Sequence, residues 1–183
     1  MIVLSPVFII ISILIKTTSE GPVFFAHKRV GKDGKTIKIY KFRSMVTNAE
    51  ELIKQFTPEQ KAEYEKNFKL ENDPRVTKVG KFMRKTSLDE LPQLINILKG
   101  DISVVGPRPV MDVETKIYGN YRDMLLSVKP GLTGFWAANG RSATTYTRRR
   151  AMEIYYVKNR SVLLDLKIIF KTFISVFKRV GAV

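Results

Sequence analysis

The chain opens on an apolar segment, Met1 to Ile15, that is interrupted by Pro6. A membrane-spanning helix needs about 20 consecutive apolar residues, and this run is shorter. A secretory signal peptide would carry a basic start and a small-residue cleavage site, and neither is present. Pro6 would kink a helix, and Ser5 can satisfy a freed backbone group. The segment therefore predicts a re-entrant or interfacial membrane helix, with a buried N-terminal core helix as the alternative.

The net charge of the chain limits the classes of partner that it can bind. Lysine and arginine number 32 against 17 acids, so the 183 residues carry a net charge of +15. A surplus of this size indicates an anionic partner, either nucleic acid, acidic lipid or a phosphorylated small molecule. The last segment, Ser161 to Val183, predicts an amphipathic helix with Lys167, Lys171 and Lys178 on one face. Such a helix binds a membrane surface or, alternatively, packs on a core.

Cysteine is absent, and His27 is the only histidine. The first count excludes disulfides, thiolate nucleophiles and cysteine-ligated zinc, and the second excludes a multi-histidine metal site. We expect His27 to be a surface or strand residue. A nucleophile must then be a carboxylate, a hydroxyl or a lysine. A metal site must be rich in oxygen ligands, which favours magnesium or manganese.

Local signals predict a hairpin followed by helices. Gly21 to Met45 alternates apolar and basic residues around a turn at Lys32-Asp33-Gly34. Thr47 to Leu70 is typical of a charged helical segment interrupted at Thr57-Pro58, and Val76 to Lys85 of a short helix. The predicted fold class is therefore α+β and mainly helical, with a small β-hairpin and amphipathic helices along a membrane surface.

Two adjacent acids, Asp89 and Glu90, lie in an otherwise cationic chain. Because proline fits only the first turn of a helix, Pro92 predicts a helix that begins between Ser87 and Asp89. The positive end of that helix would favour both carboxylates and attract phosphate or metal-phosphate ligands. Local sequence alone favours a plainer interpretation, a capping box formed by Ser87 and Glu90. The helix is expected to end at Gly100 and to bury an apolar face composed of Leu91, Leu94, Ile95 and Leu98.

Two arginines are candidates for an anion site. Arg108 lies between the prolines of Gly106-Pro107-Arg108-Pro109, which fix the backbone around it. A rigidly held guanidinium can grip phosphate with two parallel hydrogen bonds. A surface turn would explain the prolines equally well. Arg43 comes where the second strand of the predicted hairpin ends, and it either lines an anion site or is a solvated edge charge.

In combination, the motifs of this chain resemble those of one family, the monotopic bacterial phosphoglycosyl transferases or bacterial sugar transferases. The motifs occur in family order across nearly the whole chain. They are Ser5-Pro6, Gly21 to Phe24 with Lys28 to Gly31, Tyr40 to Met45, Ser87 to Pro92, Lys99 to Asp101, Val105 to Pro109, Lys129 to Gly134, Asn139 to Arg141 and Tyr155 to Asn159.

The resemblance implies transfer of a sugar-1-phosphate from a nucleotide sugar, with a UDP-sugar expected, to polyprenyl (undecaprenyl) phosphate. It implies a covalent intermediate on Asp89, release of UMP and a requirement for Mg²⁺ held by Asp89 and Glu90. Glu90 would be the second member of a catalytic dyad. Arg108 would bind substrate phosphate, with Arg43 and Arg84 as further candidates. The reaction would start exopolysaccharide, O-antigen or other glycoconjugate assembly.

The resemblance also implies an organisation. Residues 1–19 would form a membrane-associated helix, re-entrant in relatives and here expected to be truncated, with Ser5 and Pro6 at its bend. Residues 20–183 would form a cytoplasmic catalytic domain on the inner membrane, bound to lipid and not to nucleic acid, and the resemblance leaves a homodimer open. Two departures stand out: Phe135-Trp136-Ala137-Ala138 lacks the usual glutamine, and Glu153 replaces a common aspartate. Trp136 and the Thr144-Thr145-Tyr146 run resemble the galactose- or glucose-1-phosphate branch.

Two other functions fit parts of the sequence. A noncatalytic basic module that binds membranes or nucleic acid would explain the net charge of +15 but not the spacing of Asp89, Glu90 and Arg108. A degenerate transferase could keep the fold and lose its attachment to the membrane.

Overall fold

The computed structural model describes residues 2–67, 70, 72–140 and 144–177. Arg141 and Lys178, both named above, lie outside these residues. The described chain is mainly helical. Its contacts divide it into two units, one made of Met1–Phe25 and Phe42–Asp89 and the other of Ala26–Lys41 and Glu90–Ala182.

The first unit begins with helix α1 (Ser5–Thr18), which follows a 3₁₀ turn over Ile2–Leu4. Pro6 occupies the first turn of α1, where proline costs no hydrogen bond, so α1 is not interrupted at this position. Ile11 and Ile15 are buried, which is the core contact expected of either interpretation of this segment. None of the helices within the described ranges is long and apolar enough to cross a membrane.

Three further helices complete this unit, and they confirm the predicted helical segments. They are α2 (Ala49–Lys54), α3 (Pro58–Asn67) and α4 (Lys78–Thr86). Thr57 caps α3 by exchanging hydrogen bonds with Gln60, and the Oγ1 of Thr77 caps α4 by accepting from the N–H of Gly80. Gly80 is required there because a Cβ would lie 2.0 Å from the carbonyl oxygen of Ser44.

The predicted hairpin is confirmed, with strands β1 (Phe24–Val30) and β2 (Thr36–Phe42). Its turn contains Asp33 and Gly34 at positive φ, as the Asp-Gly sequence predicts. In the second unit, Val30 pairs with Val110 through a hydrogen bond of 2.9 Å from the Val30 N–H.

The rest of the second unit consists of short elements around a two-stranded parallel sheet. In chain order they are α5 (Gln93–Lys99), β3 (Ser103–Val105), α6 (Asp112–Thr115), α7 (Arg122–Leu126), β4 (Gly131–Thr133), α8 (Phe135–Ala138), α9 (Tyr146–Asn159) and α10 (Val162–Phe177). Ser103 pairs with Gly131 and Val105 with Thr133. Val105, Ala138, Tyr156 and Ile168 form a core beside this sheet. The sheet was not predicted, because three-residue strands next to Gly and Pro resemble loops.

Two predictions about the acidic stretch are wrong. Ser87 does not begin a helix: it follows α4 in the left-handed conformation (φ 58°) and caps that helix at its C-terminus. Helix α5 starts only at Gln93 and ends at Gly100 as predicted. Its buried side chains are polar, Gln93 and Asn96, whereas Leu98 is 75% exposed. Leu91, Leu94 and Ile95 are partly buried, so the predicted apolar face is right in part, but the fully buried side chains of α5 are the two amides.

Candidate active site

The acid pair lies in a single 3₁₀ turn, Leu88–Glu90, between α4 and α5. Asp89 ends the segment Phe42–Asp89 of the first unit, and Glu90 begins the segment Glu90–Ala182 of the second. Asp89 is 6% exposed. Because α5 begins three residues after Glu90 and has only seven residues, the helix dipole invoked from the sequence is not the main field at these carboxylates.

In the first unit, one cation close to Asp89 is Arg84, which lies on the last turn of α4. The Arg84 Nε donates to the Ser44 Oγ at 3.0 Å. Burial lowers the pKa of Arg84, and the negative charges of Asp89 and Asp73 oppose that shift. Arg84 therefore provides positive charge for Asp89 while its own position is set by Ser44.

Arg43 lies at the end of β2 as predicted, but its donors are largely occupied by the backbone. Its Nε donates to the Pro22 carbonyl at 2.6 Å and its Nη2 to the Ser19 carbonyl at 3.0 Å. Burial lowers the pKa of Arg43. These bonds fix the residues that follow α1, so a phosphate contact by Arg43 stays a prediction.

In the second unit, Glu90 pairs with Lys41. The Lys41 Nζ lies 2.7 Å from the Glu90 Oε1, and both side chains are partly exposed. Asn96 joins α5 to the strand that carries Lys41: its Oδ1 accepts from the Tyr40 N–H at 2.9 Å, and its Nδ2 donates to the Lys38 carbonyl at 2.7 Å. The buried amide of α5 thus holds the strand residues that directly precede Lys41.

Arg108 is presented by the loop after β3. Its backbone N–H donates to the Glu153 Oε2 at 2.9 Å, and its guanidinium carbon lies 5.6 Å from the centre of the Trp136 ring. The residue is exposed. Within the described part of the chain, no acid pairs with its guanidinium. The predicted rigid presentation of Arg108 therefore has a visible basis beyond the two prolines.

A buried cluster of four charged side chains lies behind this loop. The Glu114 carboxylate receives Arg29 Nη1 at 3.0 Å and Arg149 Nη1 at 3.4 Å. The Arg149 Nε lies 3.8 Å from the Glu153 Oε1, and its guanidinium stacks 5.0 Å from the Trp136 ring centre. No sequence signal identifies Arg29, Glu114 and Arg149 as a unit, because charged residues are ordinarily exposed. Only the departure at Glu153 drew attention to this region.

Half-buried His27 is a strand residue, as predicted, with Nδ1 3.2 Å from Arg29 Nη2. Burial, followed by the positive charges of Arg29, Lys41 and Arg108, lowers the pKa of His27 to about 4. The imidazole is therefore neutral at pH 7. These three cations make the surroundings of β1 suited to an anion.

The donor set for a metal is limited. Within residues 2–67, 70, 72–140 and 144–177, no group of three or more acids and histidines could hold a metal ion. Asp89 and Glu90 nevertheless supply two carboxylates at consecutive positions. Mg²⁺ is often bound by one or two carboxylates, with substrate phosphates and water completing its octahedron. A magnesium ion bound by Asp89 and Glu90 together with a phosphorylated substrate therefore stays a prediction.

Comparison with known proteins identifies the family. The model of the bacterial sugar transferase family matches residues 1–179, and the chain belongs to this family. The resemblance drawn from the motifs is therefore confirmed.

Several curated relatives carry names that state a reaction or a pathway. An undecaprenyl-phosphate galactose phosphotransferase of Salmonella typhimurium is 50% identical over 91% of this chain and 36% of its own length. An exopolysaccharide production protein ExoY of Sinorhizobium fredii is 45% identical over 94% of this chain and 77% of its own. A UDP-glucose:undecaprenyl-phosphate glucose-1-phosphate transferase of Escherichia coli is 41% identical over 94% and 36%. The chain thus spans about a third of the length of the first and third of these relatives.

Proposed function

We propose that this chain is a phosphoglycosyl transferase that moves a hexose-1-phosphate from a UDP-sugar to undecaprenyl phosphate. The observation that carries this proposal is the identity of 41% to 50%, over more than nine tenths of the chain, with relatives named for that reaction. The donor would be UDP-galactose or UDP-glucose, because those are the sugars in the relatives' names. The product would start the assembly of an exopolysaccharide or a related glycoconjugate.

Asp89 is the proposed nucleophile. One of its carboxylate oxygens attacks the phosphorus that carries the sugar, an acyl phosphate bond forms, and the bond to the UMP oxygen breaks. An oxygen of undecaprenyl phosphate then attacks the same phosphorus. The Asp89 carboxylate leaves unchanged, and the sugar is linked to the lipid through a diphosphate. The two displacements let a soluble donor and a lipid acceptor use one site in turn.

Basic residues reduce the repulsion between a carboxylate and a phosphate. Arg84 offsets charge at Asp89, and the exposed guanidinium of Arg108 is free to grip a phosphate with two hydrogen bonds. Lys41 orients the Glu90 carboxylate through the 2.7 Å contact of its Nζ with Oε1. Arg43 is the weakest phosphate-binding candidate, since backbone carbonyls occupy its Nε and Nη2.

Asp89 and Glu90 would hold Mg²⁺ together with the donor. When bound, the ion neutralises phosphate charge and stabilises the oxygen that leaves. Glu90 would also handle a proton, because its carboxylate is partly exposed and can exchange with solvent.

We further propose that the protein works on the cytoplasmic face of the inner membrane, anchored without spanning it. Helix α10 supports this location, because large apolar side chains on it face solvent in the chain itself: Val162, Leu163, Leu166, Phe170 and Phe173. Lys167 and Lys171 are exposed on the same helix. Apolar and basic side chains together bind anionic lipid surfaces. In α1, Ile9, Ile10 and Ile13 are similarly exposed.

A covalent-adduct experiment tests the reaction. The protein is incubated with Mg²⁺ and UDP-galactose or UDP-glucose in the absence of acceptor, and intact-mass spectrometry should show one added hexose phosphate. Asp89→Asn should abolish both the adduct and UMP release, whereas Asp123→Asn, at an exposed position, should change neither. Normal turnover by Asp89→Asn would refute the assignment of Asp89 as the nucleophile. Salt-sensitive nucleic-acid binding without turnover of any nucleotide sugar would instead favour a noncatalytic module.

A further inference from the structure

The carboxyl group of Glu153 is hydrogen-bonded to the backbone of Arg108 and can therefore set the position of this arginine. Glu153 belongs to α9 and is 2% exposed. Its Oε2 accepts the backbone N–H of Arg108 at 2.9 Å, and its Oε1 lies 3.8 Å from Arg149 Nε. A buried acid therefore holds the backbone of the exposed arginine.

A second anchor acts on the same arginine from the side. The guanidinium of Arg108 lies over Trp136, and Arg149 lies over Trp136 as well, with its carbon 5.0 Å from the ring centre. The Trp136 Nε1 donates to the Thr144 Oγ1 at 2.6 Å, which fixes the indole. Glu153 sets the backbone of Arg108 and Trp136 limits its side chain, so both ends of the residue are restrained before a ligand arrives. Restraint of this kind lowers the entropy that binding must remove.

We propose that Glu153 is a positioning residue, whose carboxylate holds the Arg108 loop so that the guanidinium is set for the diphosphate of the nucleotide sugar. This inference rests on the proposed function, because it assigns that diphosphate to Arg108. Glu153 acts through the Arg108 backbone and makes no contact with the reacting atoms.

The ionisation of Glu153 makes this role sensitive to pH. The pKa of Glu153 is raised to about 7: burial is the largest cause and the charge of Glu114 adds to it, while Arg149 and both the N–H and the charge of Arg108 act in the opposite direction. Tyr118 also faces Glu153, and burial together with the Glu153 charge raises the pKa of that phenol. The carboxylate form makes the stronger, charge-assisted bond to the Arg108 N–H. Acidification through pH 7 therefore weakens the anchor.

Stability and function should then move in opposite directions. Because the folded-state pKa of Glu153 lies above its ordinary value, the contribution of this group to stability is complete at acid pH and is lost as the pH rises through about 7. The same rise in pH strengthens the anchor of Arg108. A residue that merely supported the fold would make activity follow stability.

The test compares wild type with Glu153→Gln, which keeps an acceptor oxygen but cannot ionise. In wild type, the Arg108 amide resonance should titrate near pH 7, and KM for UDP-galactose or UDP-glucose should rise roughly fivefold as the pH falls from 8 to 6. The diphosphate of a nucleotide sugar does not titrate in this range. Glu153→Gln should show the high KM at both pH values, no titration of the amide, and a melting temperature at pH 8 no lower than that of wild type. Glu51→Gln, an exposed acid, controls for the loss of one charge.

Each outcome has a separate meaning. A wild-type enzyme that turns over, together with a Glu153→Gln variant of unchanged KM, would overturn the positioning role alone. An Arg108 amide that does not titrate in wild type would overturn it as well. Failure of wild type to turn over any nucleotide sugar would overturn the proposed function, whatever the amide shows.

Discussion

Asn96 shows how one buried side chain can hold two parts of the candidate site. It is 0% exposed, and its amide bonds the Tyr40 N–H, the Lys38 carbonyl and the Asp101 Oδ2, the last at 2.9 Å. Helix α5 and strand β2 are therefore tied together directly beside Lys41. An asparagine in this place satisfies one donor and one acceptor of the strand that no apolar residue could satisfy.

Asn96→Ala should destabilise the second unit by about 3 kcal/mol, because it removes the hydrogen bonds of a fully buried amide to the Tyr40 N–H, the Lys38 carbonyl and the Asp101 carboxylate. The midpoint of urea unfolding measures this, with fluorescence of Trp136, the single tryptophan and a residue of the same unit, as the signal. Leu98→Ala on the same helix is the control, and it should shift the free energy of unfolding by less than about 0.5 kcal/mol. Equal effects of the two substitutions would show that the amide bonds do not stabilise the unit.

Single residues also show which parts of the candidate site can be predicted from the sequence and which cannot. Asp89, Glu90 and Arg108 were found because acids among cations and an arginine between prolines are visible in the sequence. Arg29, Glu114 and Arg149 were not found as a unit, since their ion pairs join positions up to 85 residues apart and depend on burial. Charge in a sequence predicts exposure by default, and a buried ion-pair cluster is the case in which that default fails.

Among the elements, those specified by local signals were predicted and those specified by long-range contacts were not. The β1–β2 hairpin follows from alternation around Asp33-Gly34, and the start of α3 follows from Thr57-Pro58. The pairing of β3 with β4 joins Val105 to Thr133, and the residues near each strand carry no signal that predicts its partner strand. The prediction of which face of α5 packs inward was also wrong in part, because an amide can be buried in place of a leucine when strand atoms satisfy its hydrogen bonds.

The connection between α3 and α4 depends on Arg75 and offers a test with pH. Arg75 is buried, its Nε and Nη2 bond Asp73 at 2.8 and 2.7 Å, and its guanidinium stacks over Phe56 and Tyr64. Burial alone would raise the pKa of Asp73, but the hydrogen bonds and charge of Arg75 outweigh burial and lower it. The Asp73 carboxylate thus stabilises the first unit above its ordinary pKa of about 4, and this contribution is lost as the pH falls through the lowered folded-state value.

Asp73→Asn should destabilise the protein at pH 7 by about 2 kcal/mol, because it leaves the buried Arg75 without its carboxylate. The difference from wild type should begin to shrink below about pH 4, where the unfolded wild-type chain gains a proton at Asp73, and should disappear as the pH falls through the lowered folded-state pKa. Thermal unfolding followed by circular dichroism at pH 7 and pH 3 measures both effects. Asp123→Asn, at a 95% exposed side chain, should match wild type throughout. A difference that stays constant with pH would mean that the shape of Asp73, and not its charge, matters.

For the molecule as a whole, the net charge of +15 and the exposed apolar side chains of α10 have one common consequence. Basic residues alone would bind anionic lipids through a force that salt screens, and apolar residues alone would bind lipids of any charge. Together they predict binding that prefers anionic vesicles and weakens in salt without being abolished. Nucleic-acid binding through charge alone would show only the salt dependence.

Phe170 and Leu166 on α10 are 70% and 59% exposed, so each can be changed without opening a core. Transfer of such side chains out of water is worth roughly 1.5 to 3 kcal/mol each, and Phe170→Asp should therefore weaken vesicle binding by about tenfold or more. Flotation with phosphatidylglycerol vesicles at about 50 mM and about 500 mM salt measures the two contributions separately. Val113→Asp, at an exposed apolar position of α6, adds the same charge outside α10 and should leave most of the binding intact. If both variants lose binding equally, charge and not the apolar side of α10 holds the protein on the membrane.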